Sequence, residues 1–153
     1  MTAYAFWNNK GGVGKSFLSF VAATEYARTY PDTDVYVIDL CPQANVSEIL
    51  LLNSDILTNP DDELSNNEKY DVINKNYDVI NKLIGQTPRG TVAGYLEARL
   101  NSPFEQIKDV SPYMCRPRDF NPKLPTNLLL VCGDYLLEIL SEAIRQHLSL
   151  PFQ

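Results

Sequence analysis

Apolar residues along the chain fall either in short uninterrupted runs or at helical spacing, which predicts an α/β protein. The runs are typical of strands covered on both faces, because apolar and polar positions do not alternate within them. They are residues 3–7, 35–38 and 128–131. Helical spacing marks three further segments, at about residues 14–30, 91–100 and 137–148. A strand, a helix and a strand in succession favour a parallel sheet with right-handed crossovers.

Residues 53–84 interrupt this pattern with an acidic, asparagine-rich segment. Positions 53–82 carry seven acidic and three basic side chains, so we expect a solvated insertion rather than core. The hexapeptide Tyr-Asp-Val-Ile-Asn-Lys occurs there twice, at 70–75 and 77–82. Apolar side chains then recur at helical spacing, at Ile73, Tyr77, Ile80 and Ile84. The pattern predicts a helix that either packs on the surface of the domain or binds a partner.

Residues 111–127 contain four prolines, which predicts a loop. Basic side chains accompany aromatic ones in this loop, at Arg116, Arg118 and Lys123. Such a loop could contact nucleic acid. The interspersed Asp119 instead favours an ordinary solvated loop, and this is the interpretation we adopt.

The composition is that of an ordinary globular domain. The chain has 153 residues, 44% of them hydrophobic and 21% charged, with a formal net charge of −6. A net-acidic chain is a poor bulk binder of nucleic acid. No apolar run approaches the roughly 18 residues of a membrane span, and the first residues lack the pattern of a signal peptide. We therefore expect a cytoplasmic protein.

The cysteines and the histidine do not form a recognisable metal-binding pattern. Cys41, Cys115 and Cys132 are scattered, with neither a Cys-x-x-Cys pair nor a disulfide framework. His147 is the single histidine of the sequence, which excludes a cluster of histidine ligands. Cys115 and Cys132 are therefore expected to be core or loop thiols.

Candidate chemistry is concentrated in a glycine-rich segment, residues 8–16, with the sequence Asn-Asn-Lys-Gly-Gly-Val-Gly-Lys-Ser. Phosphate oxygens need several converging N–H donors, and glycines allow a backbone loop to close around them. The helix that follows adds the positive end of its dipole. Lys15 can reach the β- and γ-phosphates of a nucleotide, and the Ser16 hydroxyl can bind Mg²⁺. The segment therefore predicts a phosphate-binding loop between a strand and a helix.

Two segments together point to a known family. In the loop, Asn9 stands where the usual P-loop has glycine, and Lys10 begins the run Lys-Gly-Gly-Val-Gly-Lys-Ser. In residues 35–48, an apolar strand is followed by Asp-Leu-Cys-Pro-Gln-Ala-Asn-Val-Ser-Glu. These segments resemble the deviant Walker A motif and the second motif of the ParA/MinD ATPases, which partition plasmids and chromosomes or position other intracellular cargo. Residues 90–100 and 127–140 are similar in position and pattern to later family segments.

The resemblance implies a P-loop NTPase-like fold, in which a parallel sheet is flanked by helices. Residues 1–153 would be the N-terminal part of that domain, with 53–84 as an insertion. In the family a later strand carries the Walker B or switch II aspartate, and nothing after the 137–148 helix corresponds to that strand. The sheet is therefore expected to be truncated. Asp134, which follows the 128–131 strand, is an alternative candidate for this aspartate.

The resemblance also assigns roles to individual residues. Lys10 would cross a dimer interface and touch the partner's bound nucleotide. The residues that would line the phosphates are Gly11, Gly12, Val13, Gly14, Lys15 and Ser16. Ser16 would bind Mg²⁺, and Asp39 would hold a water molecule of its shell. We therefore expect a Mg-ATP-binding ATPase that forms an ATP-dependent homodimer, with an activating partner protein and nonspecific DNA as further partners implied by the family.

Cys41 departs from the family pattern at the position of the second aspartate, which orients the attacking water. A thiol is mostly neutral at neutral pH and is a weak acceptor, so ATP hydrolysis is the step that this departure affects. The chain is either an ATPase with slow turnover or a nucleotide-binding switch that does not hydrolyse ATP. Two alternatives remain: Cys41 is a bystander, or the chain is a related deviant-loop carrier or synthetase.

Overall fold

Five helices flank a two-stranded sheet within residues 2–7, 12–51 and 78–148, which are the residues described by a computed structural model. The helices are α1 (Lys15–Thr29), α2 (Asn45–Leu51), α3 (78–84), α4 (Val92–Asn101) and α5 (Leu136–Leu148). The strands are β1 (Val35–Ile38) and β2 (Leu128–Val131). Two short 3₁₀ turns, Ser111–Tyr113 and Pro117–Asp119, lie in the proline-rich loop. The expected helices at 14–30, 91–100 and 137–148 are thereby confirmed.

The two strands pair in parallel, so the expectation of a parallel sheet holds for the strands predicted at 35–38 and 128–131. Val35 is opposite Leu128, and Ile38 is opposite Val131. Cys115 adds an isolated antiparallel bridge to Leu130, through backbone hydrogen bonds of 2.9 Å in both directions. The described residues therefore form a mixed α/β structure with a small parallel sheet and flanking helices.

The prediction of a strand at residues 3–7 is wrong. Residues 2–7 have no regular secondary structure and are exposed, with Tyr4 79% and Trp7 80% accessible. No backbone hydrogen bond joins them to another part of the described chain. An apolar run favours burial, but it becomes a strand only when a neighbouring strand offers a free edge in register. The described sheet is consequently smaller than the sheet that the family resemblance implied.

The main core lies between the sheet, α2 and α3. Leu50 and Leu51 of α2 and Leu128 and Leu130 of β2 are almost completely buried. In the described end of the insertion, Ile80 and Leu83 of α3 belong to the same core, and Ile84 packs against it. These contacts agree with a helix that packs on the domain. Ile73 and Tyr77, the other positions of that predicted face, lie outside the described residues.

Asn127 connects the end of α1 to the start of the sheet. Its side-chain amide nitrogen lies 3.1 Å from the carbonyl oxygen of Ala27, 3.0 Å from that of Tyr30 and 2.7 Å from that of Thr33. The backbone carbonyl oxygen of Asn127 accepts a hydrogen bond from the backbone N–H of Val35. The C-terminus of α1 is therefore held at the amino end of both strands. Since α1 packs along β1 and also contacts α2, its N-terminus is directed towards the carboxyl end of the sheet.

A second, smaller core joins α4 to α5, and its members are Val92, Ala93 and Leu137, with Leu96 and Leu140 packed against them. None of the helices in the described ranges has the length and apolar character that crossing a membrane requires.

Candidate functional site

The glycine-rich loop is described from Gly12 onwards, and Lys10 and Gly11 lie outside the described residues. Gly12 has a φ of 70° and Gly14 a φ of 77°, both in the left-handed region where a side chain would be strained. Val13 between them is 46% exposed. Left-handed residues of this kind occur in anion-binding nests, in which successive N–H groups turn towards one side.

Helix α1 starts directly from this loop without a side-chain cap. Gly14 is the N-cap residue, and its carbonyl accepts the N–H of Leu18 at 2.9 Å. The first turn of α1, all of which is described, contains no acidic residue that would complement the positive end of the helix dipole. Lys15 and Ser16 are half-buried in this turn. The arrangement suits a bound anion, for which a helix N-terminus supplies both N–H donors and positive potential.

Asp39 is the first of two buried acidic residues at the carboxyl ends of the strands. It is 4% exposed and follows β1 directly. Its Oδ1 accepts the backbone N–H of Cys41 at 3.0 Å. Its Oδ2 accepts both the backbone N–H of Ser47 at 2.9 Å and the Ser47 hydroxyl at 2.8 Å. Three donors therefore hold this carboxylate from within the described part of the protein.

Asp134 is the second buried acidic residue, and it is held by four donors. Arg89 donates from Nε to Oδ2 and from Nη2 to Oδ1, the latter at 2.8 Å. The Thr91 hydroxyl donates to Oδ2 and the N–H of Leu136 to Oδ1, each at 2.9 Å. Burial acts to raise the pKa of Asp134, but these hydrogen bonds outweigh it and the pKa lies below its ordinary value.

The two carboxylates differ in what they can still bind. An ionised carboxylate has about four acceptor positions. Protein donors occupy all four on Asp134, so this residue fits a structural role and not that of the alternative Walker B aspartate. Donors among the described residues occupy three positions on Asp39, one on Oδ1 and two on Oδ2. Within this part of the chain, Asp39 is therefore the strand-end aspartate with an acceptor position left for a water molecule.

Gly133 lies where the carboxyl ends of β1 and β2 approach each other closely, and there is no room for a side chain at this position. A Cβ atom there would lie 2.6 Å from the carbonyl oxygen of Cys41 and 3.1 Å from the Asp39 carboxyl carbon. Its N–H donates to the Ser47 hydroxyl at 2.9 Å. Ala44 in the facing loop is buried and has a left-handed φ of 52°. A side chain at Gly133 would push the loop that carries Cys41 away from β2.

Cys41 lies beside Asp39, as its place in the motif predicted. Its thiol is half-buried and unoxidised, and its sulfur lies 3.8 Å from the side-chain amide nitrogen of Asn45. The amide also lies 3.4 Å from the Gln43 side-chain oxygen. The Cys41 carbonyl accepts the N–H of Ala44 at 2.9 Å, which closes the turn before α2. The sulfur therefore occupies a polar loop and not the apolar core.

Further ionisable groups surround this part of the protein. Burial raises the pKa of Glu48, and the negative charge of Asp39 raises it further. Burial also raises the pKa of the Cys132 thiol to about 11 and that of the Cys115 thiol to about 12. These two cysteines are therefore neutral core thiols, as expected. A cation at the strand ends would offset the repulsion between the Glu48 and Asp39 carboxyl groups.

Both arginines of the proline-rich loop bind their own loop, and Lys123 is exposed. Arg116 donates to the carbonyl oxygen of Thr126 at 2.9 Å, and Arg118 donates to that of Leu124 at 2.6 Å. Tyr113 is buried and Phe120 packs against the main core. Since neither aromatic side chain is free to stack on a base, these contacts agree with a structural loop.

The sequence pattern did not identify three residues that hold the two buried carboxylates, Ser47, Arg89 and Thr91. Thr91 had a local signal, because it stands at the N-cap of α4 and accepts the N–H of Gly94. Arg89 had none, because its partner Asp134 lies 45 positions away. Ser47 belongs to the second motif, but the motif alone gives it no role.

No protein-family model, no curated protein and no solved structure matches this chain. By its architecture, the described part of the chain belongs to the mixed α/β class, with a small parallel sheet and flanking helices. Within the described ranges, no group of three or more His, Cys, Asp or Glu side chains is arranged to hold a metal ion. A magnesium ion that is bound mainly through nucleotide phosphates does not need such a group.

Proposed function

We propose that this protein binds Mg-ATP through the glycine-rich loop and the N-terminus of α1, and that it acts as a ParA-like, nucleotide-dependent homodimer in partitioning or intracellular positioning. One observation carries the proposal: two left-handed glycines lead into an uncapped helix whose first turn holds Lys15 and Ser16. Backbone N–H groups, the helix dipole and a cationic side chain thus converge on one end of α1. This combination suits a polyphosphate better than it suits a monovalent carboxylate.

The residues at the strand ends fit a magnesium ion on the same nucleotide. Ser16 would bind the ion through its hydroxyl, and Asp39 would hold one of the ion's water molecules through the acceptor position left on Oδ1. Bound Mg²⁺ would neutralise charge on the phosphate oxygens. The protein contributes the orientation of these groups, the positive charge of Lys15 at the phosphates, and the charge of Lys10 at the partner's nucleotide. Nonspecific DNA and an activating protein belong to the proposal through the family resemblance alone.

The proposal includes slow hydrolysis, or none, because of Cys41. The sulfur lies in the polar loop next to Asp39, where the resemblance places a water-orienting aspartate. A neutral thiol is a weak acceptor, so the attacking water lacks the charged partner expected there. This observation favours a nucleotide-binding switch as the second candidate function. In that case ATP would hold the dimer together and would leave unhydrolysed.

Calorimetry with Mg-ATP on the whole chain tests the nucleotide site. Lys15→Ala removes a charged donor to the phosphates, and we expect affinity to fall by roughly 100-fold. Lys123→Ala is the matched control, because it removes a lysine from an exposed position of the proline-rich loop. Its affinity should equal that of the wild type. Equal affinity of the Lys15→Ala variant and the wild type would refute the proposed phosphate site.

A further inference from the structure

The Asp39 carboxylate is oriented mainly by a single residue, Ser47. Of the three donors that the described residues supply, two, a backbone N–H and a hydroxyl, belong to Ser47. Both act on Oδ2, whereas Oδ1 receives only the N–H of Cys41. Ser47 is completely buried and Asp39 is 4% exposed, so bulk water does not compete for these bonds. Because Ser47 takes both described bonds to Oδ2, the acceptor position that the described residues leave is on Oδ1.

The hydroxyl of Ser47 has a defined direction. It accepts the N–H of Gly133 at 2.9 Å, and it lies 2.8 Å from Oδ2 of Asp39. A hydroxyl has one proton to donate. The N–H of Gly133 is itself a donor, the Cys132 thiol beside Ser47 is a weak acceptor, and the carboxylate is the strong acceptor in reach. The proton is therefore directed to the carboxylate. Ser47 thereby connects the end of β2 to the carboxylate that follows β1.

We propose that Ser47 is a positioning residue for magnesium: it orients Asp39 towards a metal-bound water without touching the metal or the nucleotide. The inference rests on the proposed function, since it concerns the magnesium side of the same site. Residues that orient a metal-binding group in this way typically change metal affinity by about 10- to 100-fold when they are replaced. Loss of the Ser47 hydroxyl should therefore weaken the contribution of Mg²⁺ and leave phosphate binding at the loop intact.

The experiment compares the affinity for ATPγS in Mg²⁺ with the affinity in EDTA, by calorimetry on the whole chain. The ratio of the two affinities isolates the contribution of the metal. In Ser47→Ala we expect the ratio to fall by about tenfold, with the affinity in EDTA unchanged. Ser47→Thr retains the hydroxyl and should restore the ratio. Thr24→Val is the matched control, because it removes a buried hydroxyl that bonds only to carbonyl groups of its own helix.

The possible results of this affinity comparison lead to different conclusions. A wild-type ratio in Ser47→Ala overturns the inference, and so does an equal loss of affinity in Mg²⁺ and in EDTA, which would mark a purely structural role. A low ratio in both Ser47→Ala and Ser47→Thr also overturns it. If the wild type binds ATPγS in neither condition, the proposed function itself fails. Melting temperatures identify a variant that does not fold, and Ser47→Cys, with nearly the volume of serine and a weak donor, then replaces Ser47→Ala with the same expectation.

Discussion

At the scale of single residues, two acidic side chains at neighbouring strand ends differ in the donors that hold them. Asp134 receives four hydrogen bonds and has no acceptor position left, whereas Asp39 receives three. Their positions in the sequence are alike, since each follows an apolar strand within three residues. The hydrogen-bond partners therefore distinguish a fully held carboxylate from the one to which we assign a role at the proposed ion.

Cys41 gives the prediction at this scale. Cys41→Asp should raise the rate of ATP hydrolysis by at least about tenfold, because it supplies a charged acceptor for the attacking water where positioning dominates catalysis. The rate is measured in single turnovers with saturating Mg-ATP. Cys41→Ser is the control: it is neutral and of similar size, and it should leave the slow wild-type rate unchanged. A wild type as fast as Cys41→Asp would show that another group already orients the water and that Cys41 is a bystander.

At the scale of elements, a buried ion pair fastens α4 to the end of β2. The Asp134 side chain is fully buried and that of Arg89 is 19% exposed. The guanidinium of Arg89 also lies 5.1 Å from the centre of the Tyr135 ring. Thr91, at the N-cap of α4, donates to the same carboxylate. The connection between helix and strand consequently depends on polar groups that are buried together.

Arg89→Ala should lower the free energy of unfolding by about 3 kcal/mol, because it leaves the buried Asp134 carboxylate without its cation. Urea unfolding at neutral pH measures the change. Arg145→Ala is the matched control, since it breaks an exposed ion pair with Glu142, 2.8 Å long. Such a pair contributes less than about 1 kcal/mol. Equal losses in the two variants would mean that the buried pair is not a structural connection.

The pH dependence of the Arg89→Ala effect follows from the lowered pKa of Asp134. A carboxyl group whose pKa is lower in the folded state stabilises the protein above its unfolded pKa, near the ordinary value of 3.8. This contribution is lost as the pH falls through the folded-state pKa. The difference between the wild type and Arg89→Ala should therefore be largest at neutral pH and should shrink below about pH 4.

The elements that the sequence predicted correctly are those with strong local patterns. Helices α1, α4 and α5 have apolar residues at helical spacing, and both strands are uninterrupted apolar runs. The strand expected at 3–7 failed because an apolar run does not specify which edge it will pair with. The pairing of Arg89 with Asp134 was equally out of reach, since it joins residues that are distant in the chain. For the candidate site, the motif located Asp39 and Cys41, but only the fold reveals the donors that hold them.

At the scale of the whole molecule, the described sheet leaves one face of β1 uncovered. Tyr36 is 49%, Ile38 58% and Leu40 68% exposed, although all three are apolar or aromatic. The strand alternates between half-buried and exposed positions, where the sequence predicted burial on both faces. The glycine-rich loop is exposed as well, at Gly12 and Gly14. A nucleotide held there would be accessible to a second copy, as the proposed homodimer requires.

The proposed function depends on the binding of nucleotide phosphates at the N-terminus of α1. A crystal structure of the whole chain with Mg²⁺ and a non-hydrolysable ATP analogue tests it most directly. We expect phosphate oxygens at the backbone N–H groups of residues 12–16, Mg²⁺ at the Ser16 hydroxyl, and a water between the metal and Oδ1 of Asp39. We also expect two copies facing each other, with Lys10 of each at the partner's nucleotide. Phosphates bound elsewhere on the protein, with this loop empty, would contradict the claim.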